Sequence, residues 1–123
     1  MSALDVHITA SRIGGGAYVV AVVGELDLYA ADQLQLRLAQ LLEDGARTVL
    51  VDLLGVSFMD STGLAVLLST AQALRSSTGQ FVVAVDNPHV LRVIELADAR
   101  DLVHIERTVI EAVEYVVDQR LTV

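Results

Sequence analysis

Two short segments of this sequence carry polar side chains that could take part in signalling chemistry. They are residues 24–27 (GELD) and residues 58–64 (FMDSTGL), and each follows a stretch rich in β-forming residues. In the second segment, Asp60 or Ser61 is suited to cap a helix N-terminus, where free backbone N–H groups and the helix dipole favour an anion. An exposed Ser61 hydroxyl there is a candidate phosphate acceptor, and phosphorylation would add about −1.5 to −2 charge in one step.

The same residues also have a purely structural interpretation. Asp-Ser-Thr-Gly is an ordinary composition for a capped helix start, and Asp27 taken alone fits a solvated turn. Thr62 is a second hydroxyl that could cap the helix or compete with Ser61 as the acceptor. Phe58 either anchors its loop to the core or, if it is exposed, contributes to a partner interface. The residues by themselves leave both interpretations open.

The hydrophobic pattern predicts an α/β domain that would position these segments. Two β-rich stretches joined by three glycines indicate an N-terminal antiparallel hairpin, and the later strands alternate with helices. This order predicts a mixed, largely parallel β-sheet with the helices mainly packed on one face. The predicted strands are residues 4–9, 18–23, 48–53, 81–85 and 102–105, and the predicted helices begin at Ala31, Asp60 and Pro88, with a last one around residues 110–117.

The expected connections decide where the two polar segments lie. Gly45 and Gly79 are expected to end the first two helices, and a turn is expected over residues 54–58. Because the carboxyl ends of parallel strands meet at one edge of a sheet, Asp27 and Ser61 are expected in neighbouring loops at that edge.

Length and composition narrow the function classes. The chain has 123 residues, which predicts a single domain over residues 1–123. It carries 16 acidic side chains against 8 basic ones, all of them Arg, for a net charge of −8. This charge disfavours direct binding to nucleic acid or to an anionic membrane, since both need clustered cations. The sequence has no Cys, no apolar run near the roughly 20 residues of a membrane helix and no signal-peptide pattern, so we expect a cytoplasmic protein.

Catalytic and cofactor-binding functions have little support in the sequence. Ser61 and His104 occur in the order of an α/β-hydrolase triad, and Asp86 or Asp98 would be the acid between them. The nucleophile elbow needs Gly-x-Ser-x-Gly, however, and Met59 stands at the first glycine. A phosphoaspartate receiver needs a lysine, which the chain lacks. The three histidines are scattered and no phosphate-binding glycine motif opens a helix, so we expect a non-enzymatic protein without metal or cofactor.

Residues 24–27 and 58–64, at this separation and within this order of strands and helices, resemble the anti-sigma factor antagonists, whose fold is the STAS domain. The resemblance extends over nearly the whole chain. In that bacterial family the unphosphorylated antagonist binds an anti-sigma factor, itself a serine/threonine kinase, and so frees a sigma factor for transcription. The resemblance implies that the kinase phosphorylates Ser61 and abolishes binding, with Thr62 second to it, and that a PP2C-type phosphatase restores the active form.

The resemblance also implies a partner surface and an alternative function. Asp27 matches the acidic position of the family's second contact loop, and Asp60 matches the acidic residue beside the acceptor. The chain departs from the family at Ala97-Asp98-Ala99, where a Thr-Gly-Leu-like turn is common, although Asp tolerates the left-handed conformation better than most residues. STAS domains also serve in stressosome-like scaffolds, in lipid-transport complexes and as tails of anion transporters, so a scaffold module without a kinase cycle is the alternative. The implied partner-binding residues are Asp27, Phe58, Asp60, Ser61, Thr62 and Gly63.

Overall fold

The computed structural model describes residues 6–99 and 101–121, which form a five-stranded sheet and four helices. The elements in chain order are β1 (His7–Gly14), β2 (Ala17–Leu26), α1 (Leu28–Glu43), β3 (Thr48–Met59), α2 (Ser61–Ser76), β4 (Gln80–Ala84), α3 (Pro88–Leu96), β5 (His104–Glu106) and α4 (Val109–Leu121). The strands lie side by side in numerical order, with β1 antiparallel to β2 and every later pair parallel. The predicted α/β class, the hairpin and the largely parallel sheet are confirmed.

The helices cover the two faces of the sheet unequally. Val49 and Val51 of β3 belong to the larger core, which is filled by α1, α2 and α3, whereas Leu50 between them belongs to a second cluster with Ala112 and Val116 of α4. Alternate residues of a strand point to opposite faces, so α4 packs on the face opposite the other three helices. The expected packing mainly on one face is confirmed, with α4 as the exception.

β3 is longer than the sequence suggested, and the expected turn over residues 54–58 is wrong. The register between β2 and β3 shifts twice, and each time β3 contains one residue more than β2. At the first shift the Asp52 carboxylate accepts a hydrogen bond from the backbone N–H of Leu54 at 2.9 Å. Extra residues of this kind interrupt the alternation of buried and exposed side chains while the strand continues. The interrupted pattern looks like a turn in the sequence, but β3 runs on to the residue before Asp60.

Three helices end in a turn that contains a left-handed residue. At the end of α1 this residue is Gly45, as expected, with φ +89°. At the end of α2 the left-handed residue is Thr78 (φ 58°), one position before Gly79, whose backbone N–H donates to the carbonyl oxygen of Leu74 at 2.6 Å. Gly79 is required by space, because a Cβ there would lie 2.5 Å from the carbonyl oxygen of Arg47. At the end of α3 Asp98 takes the left-handed conformation (φ 54°), which keeps the turn without the family's glycine.

The outer strands differ from their expected bounds. β5 begins two residues late because the backbone N–H groups of Leu102 and Val103 both donate to the carbonyl oxygen of Ala99, which forms a turn before the strand. β1 extends further towards the glycines than expected, whereas residues 4–5 of the predicted strand lie outside the described residues. Within the described part of the chain, no helix has the length and apolar character required to cross a membrane.

Candidate functional site

Two helices begin side by side at the carboxyl edge of the parallel strands. Leu26 and Met59 are paired at the ends of β2 and β3, and the next residues, Asp27 and Asp60, are the N-caps of α1 and α2. The backbone N–H of Asp60 donates to the carbonyl oxygen of Leu26 at 3.5 Å, which ties the two loops together. The two polar segments singled out in the sequence are therefore adjacent.

The first helix start exposes two apolar side chains. The Asp27 carboxylate accepts a hydrogen bond from the backbone N–H of Ala30 at 3.0 Å, so α1 begins at Leu28, earlier than the sequence pattern indicated. Leu28 and Tyr29 are 58% and 67% exposed. Sequence reasoning missed both as site residues. The available signal was a capping Asp followed by two large residues outside the apolar stripe of the helix.

The second helix start is organised by the carboxylate of Asp60. One of its oxygens accepts hydrogen bonds from the backbone N–H groups of Thr62 at 3.0 Å and Gly63 at 3.2 Å, and from the Thr62 hydroxyl. The bond from the Thr62 hydroxyl has the largest effect on the pKa of Asp60 and lowers it; partial burial raises this pKa, and the two backbone bonds lower it further. The net result is a pKa below the ordinary value, because the charged form is the better acceptor.

Ser61 and Thr62 are chemically similar but differently placed. Ser61 is the first residue of α2 and is exposed, and its hydroxyl has no hydrogen-bond partner within residues 6–99 and 101–121. Thr62 is half-buried, and its hydroxyl is engaged by Asp60. The first turn of α2 contains no acidic residue, so no side chain within that turn places a negative charge at the positive end of the helix dipole. The hydroxyl that is open to a phosphate donor is that of Ser61.

Gly63 and Phe58 connect the site to the rest of the fold. Gly63 is buried, and a Cβ at this position would lie 2.8 Å from Cγ of Leu26 and 2.9 Å from Cγ of Met59. Gly63 is therefore needed for the close approach of α2 to the strand ends. Because it is buried, it offers no surface to a partner. Phe58 is 37% exposed, and its ring stacks on His89 of α3 with the centroids 5.4 Å apart. The sequence offered no signal that His89 would reach this edge.

A groove between α1 and α2 leads away from the two helix starts. It is lined by Leu28, Ala31 and Asp32 of α1 and by Thr62 and Ala65 of α2, among others, and none of the lining residues is Arg. We call it the α1–α2 groove. A phosphate on Ser61 would lie beside the N-terminus of α2 and near the two capping carboxylates. The α1–α2 groove would supply no guanidinium to pair with it.

The hydrolase-like order of residues is not assembled in space. His104 lies beside Val82 of β4, which in turn lies beside Leu50 of β3. Ser61 follows the far end of β3, so roughly 25–30 Å of strand separates it from His104. His104 instead contacts Oε2 of Glu106 at 2.6 Å and stacks on Tyr115. Within the described residues no group of three or more His, Cys, Asp or Glu side chains is placed to hold a metal ion.

Comparison with known proteins identifies the family. The STAS domain model matches residues 9–112, a range that contains both helix starts. The anti-sigma-B factor antagonist of Staphylococcus aureus is 36% identical to this chain over 88 residues, which cover 72% of this chain and 82% of that protein. The chain belongs to the anti-sigma factor antagonist family of STAS domains. The resemblance recognised in the sequence is thereby confirmed.

Solved structures agree with this STAS-domain assignment. An anti-sigma factor antagonist from Mycobacterium paratuberculosis superimposes with a TM-score of 0.82 at 28% identity, covering 91% of this chain and 94% of that one. The anti-sigma factor antagonist SpoIIAA in its unphosphorylated form superimposes with a TM-score of 0.78, covering 89% and 96% of the two chains. Its identity of 23% supports a shared fold only.

Proposed function

We propose that this STAS domain is an anti-sigma factor antagonist that binds an anti-sigma factor kinase through the edge formed by the starts of α1 and α2, and that phosphorylation of Ser61 abolishes binding. The observation that carries the proposal is the exposed, unengaged hydroxyl of Ser61 at the first position of α2, beside the cap of α1. A kinase needs an accessible hydroxyl on the surface that it contacts, and Ser61 meets that requirement.

Apolar side chains around Ser61 supply the anchors that a protein partner needs. Leu28 and Tyr29 project from the start of α1, and Phe58 projects from the end of β3. Exposed aromatic and aliphatic side chains surrounded by polar groups are typical of the central part of protein interfaces. Asp27 and Asp60 lie among them with Thr62, so the partner surface combines apolar contacts with negative charge. Gly63 contributes by positioning α2.

The effect of phosphorylation follows from the charges on this surface. A phosphate on Ser61 adds about −1.5 to −2 charge at a point flanked by Asp27 and Asp60. The N-terminus of α2 stabilises that charge within the domain, and no arginine lines the α1–α2 groove to draw the phosphate elsewhere. The domain therefore keeps its fold after phosphorylation, and binding is lost through repulsion and desolvation in the interface.

The remaining components of the cycle belong to the partners. The chain acts as a kinase substrate and binding module without catalytic residues, metal or cofactor, and ATP is held by the anti-sigma factor. A PP2C-type phosphatase removes the phosphate from Ser61 and regenerates the binding form. Since sigma factors act on cytoplasmic RNA polymerase, the protein works in the cytoplasm and influences transcription without touching DNA or a membrane. The acidic composition, with 16 acidic and 8 basic side chains, supports this assignment.

Paired variants of Ser61 test the proposal. Ser61→Ala and Ser61→Glu are immobilised and used to capture proteins from a lysate of the source organism, and captured proteins are identified by mass spectrometry. We expect Ser61→Ala to retain an anti-sigma factor with a serine kinase domain and Ser61→Glu to lose it. The purified kinase with labelled ATP should then phosphorylate the wild-type chain and leave Ser61→Ala unlabelled, with the phosphate mapped to Ser61.

Ser76→Glu is the matched control, since it places the same charge at the other end of α2. The two positions are about 22 Å apart along the helix axis. This variant should capture the partner as well as the wild type does. Equal capture by Ser61→Ala and Ser61→Glu, or phosphate on another residue, would contradict the switch. Stable capture of a non-kinase protein by both variants would support the scaffold module instead.

A further inference from the structure

The amino edge of the parallel strands, opposite Ser61, carries two adjoining cavities of different chemistry. Ala17, Thr48 and Gln80 are paired in the first positions of β2, β3 and β4 and mark this edge. The first cavity has a volume of about 360 Å³ and is lined mainly by residues with polar side chains, among them Arg47 and Arg120. The second has a volume of about 460 Å³ and a largely apolar lining. Thr48 and Arg120 line both, so the cavities meet at these two residues.

The polar cavity concentrates positive charge in an acidic protein. Nη2 of Arg120 donates to the carbonyl oxygen of Gly15 at 3.3 Å and to the hydroxyl of Thr48 at 3.2 Å. Nη2 of Arg47 donates to the hydroxyl of Thr78 at 3.4 Å. Within the part of the chain that the structure describes, neither guanidinium is paired with a carboxylate, and none of the cavity's lining residues is acidic. Each guanidinium has five N–H donors, so most of them remain available to an anion.

The apolar cavity is a groove between the sheet and α4. Its floor includes Ala17 and Leu50, which are 4% and 1% exposed. Its walls include Ile13 from the hairpin and Val117 from α4, which are 49% and 46% exposed. The wall residues therefore leave apolar surface in contact with water along a groove that ends at the guanidinium of Arg120. Val113 lines the same groove seven residues before Arg120, so the groove follows α4 for about 10 Å.

We infer that this pair of cavities binds a free fatty acid, with the carboxylate between Arg47 and Arg120 and the hydrocarbon chain in the apolar groove. Charge complementarity supports this occupant. The polar cavity offers two guanidiniums, which favour a carboxylate through charge-assisted hydrogen bonds, and the adjoining groove offers mainly apolar contact to the rest of the ligand. The net charge of −8 disfavours binding of the protein as a whole to an anionic bilayer, and we therefore take the free acid as the occupant.

The site is separate from the phosphorylation switch. β3 begins at Thr48, which lines both cavities, and ends just before the cap of α2. Twelve strand residues place the two sites at opposite edges of the sheet, roughly 35 Å apart. Binding at the amino edge and phosphorylation at Ser61 therefore succeed or fail independently. Ser61→Glu should bind the acid with the affinity of the wild type.

Calorimetric titration of the full chain with sodium octanoate, below its micellar concentration, tests the inference. We expect saturable binding of one molecule, with an affinity that rises about fourfold for each methylene in the series hexanoate, heptanoate, octanoate, because each added methylene is buried in the groove. Acetate has the charge without the chain, and octan-1-ol has the chain without the charge. Both should bind at least tenfold more weakly than octanoate.

Variants locate the two ends of the ligand. Arg120→Gln and Arg47→Gln should each weaken octanoate binding by roughly 10- to 100-fold, the range for loss of a hydrogen bond to a charged group. Val117→Asn, at a half-exposed wall position that tolerates a polar side chain, should reduce the gain in affinity that each added methylene provides. Arg92→Gln on α3 is the control and should bind octanoate like the wild type.

Several results would overturn the inference. They are the absence of saturable octanoate binding, equal binding by octan-1-ol, and unchanged binding after both arginine substitutions. Binding to anionic vesicles without binding to free octanoate would show that the occupant of this face is a membrane surface and not a free acid. Concentration-dependent dimerisation that Val117→Asn abolishes, again without octanoate binding, would assign the groove to a second copy of the chain.

Discussion

Substitutions of Asp60 test whether its charged carboxylate organises the start of α2. Asp60→Ala removes the acceptor of two backbone N–H groups and of the Thr62 hydroxyl. Loss of such a cap costs about 0.5–2 kcal/mol, and the value should lie in the upper half of that range because the Thr62 hydroxyl also loses its acceptor. Asp60→Asn keeps an acceptor oxygen but loses the charge at the helix N-terminus, which is worth about 0.3–1 kcal/mol.

The dependence on pH separates the charge from the hydrogen bonds. The pKa of Asp60 is lower in the folded state than its ordinary value, chiefly through the Thr62 hydroxyl. A carboxyl with a depressed folded pKa stabilises the fold above its unfolded-state pKa, and this contribution is lost as the pH falls through the folded pKa. The stability difference between the wild type and Asp60→Asn should therefore be full at neutral pH and should shrink below about pH 4.

Urea unfolding followed by circular dichroism at several pH values measures these differences. Glu114→Gln, at an exposed position within α4, is the control for removing one negative charge from an acidic chain. A wild-type advantage over Asp60→Asn that stays constant from neutral to acidic pH would refute the anionic cap. Equal stability of Asp60→Ala and the wild type would refute the cap altogether. Asp60→Ala should also release the Thr62 hydroxyl and so allow some phosphorylation at that residue.

Three further substitutions probe the packing and the electrostatics of the same fold. Gly63→Ala should lower the free energy of unfolding by about 1–3 kcal/mol because its methyl group overlaps Leu26 and Met59. Urea unfolding measures this change, and Ala65→Gly is the control that reports the difference in helix propensity alone. A Gly63→Ala variant as stable as the wild type would contradict the prediction. Thr78→Gly should raise stability by roughly 0.5–1 kcal/mol because a β-branched residue leaves the left-handed region; an unchanged or lower melting temperature would count against it. Ser61→Glu should raise stability by about 0.3–1 kcal/mol through the helix dipole while it weakens partner binding, and a lowered melting temperature would attribute the binding loss to unfolding instead.

Local sequence patterns predicted much of the fold. Helical spacing and strand alternation predicted the order of the elements, and glycines predicted the hairpin and the end of α1, because these signals depend on residues close together in the chain. The pattern failed at residues 54–58, where extra residues in β3 interrupt the alternation without ending the strand. It also failed at Thr78. A β-branched residue disfavours the left-handed conformation, but the turn that follows α2 holds Thr78 in it.

The sequence by itself determined the α/β class, the family and the two polar segments that hold Asp27 and Ser61, since composition, periodicity and motif residues are properties of neighbouring positions. The expected strand order also placed Asp27 and Ser61 in neighbouring loops. The tertiary structure decided how these loops are joined, through the backbone N–H of Asp60 and the carbonyl oxygen of Leu26, because this is a contact between distant parts of the chain. It also decided that Ser61 is exposed while the hydroxyl of Thr62 is engaged, and that two arginines far apart in the sequence line one cavity beside an apolar groove. Exposure and charge environment are set by which segments pack together, and no local pattern specifies them.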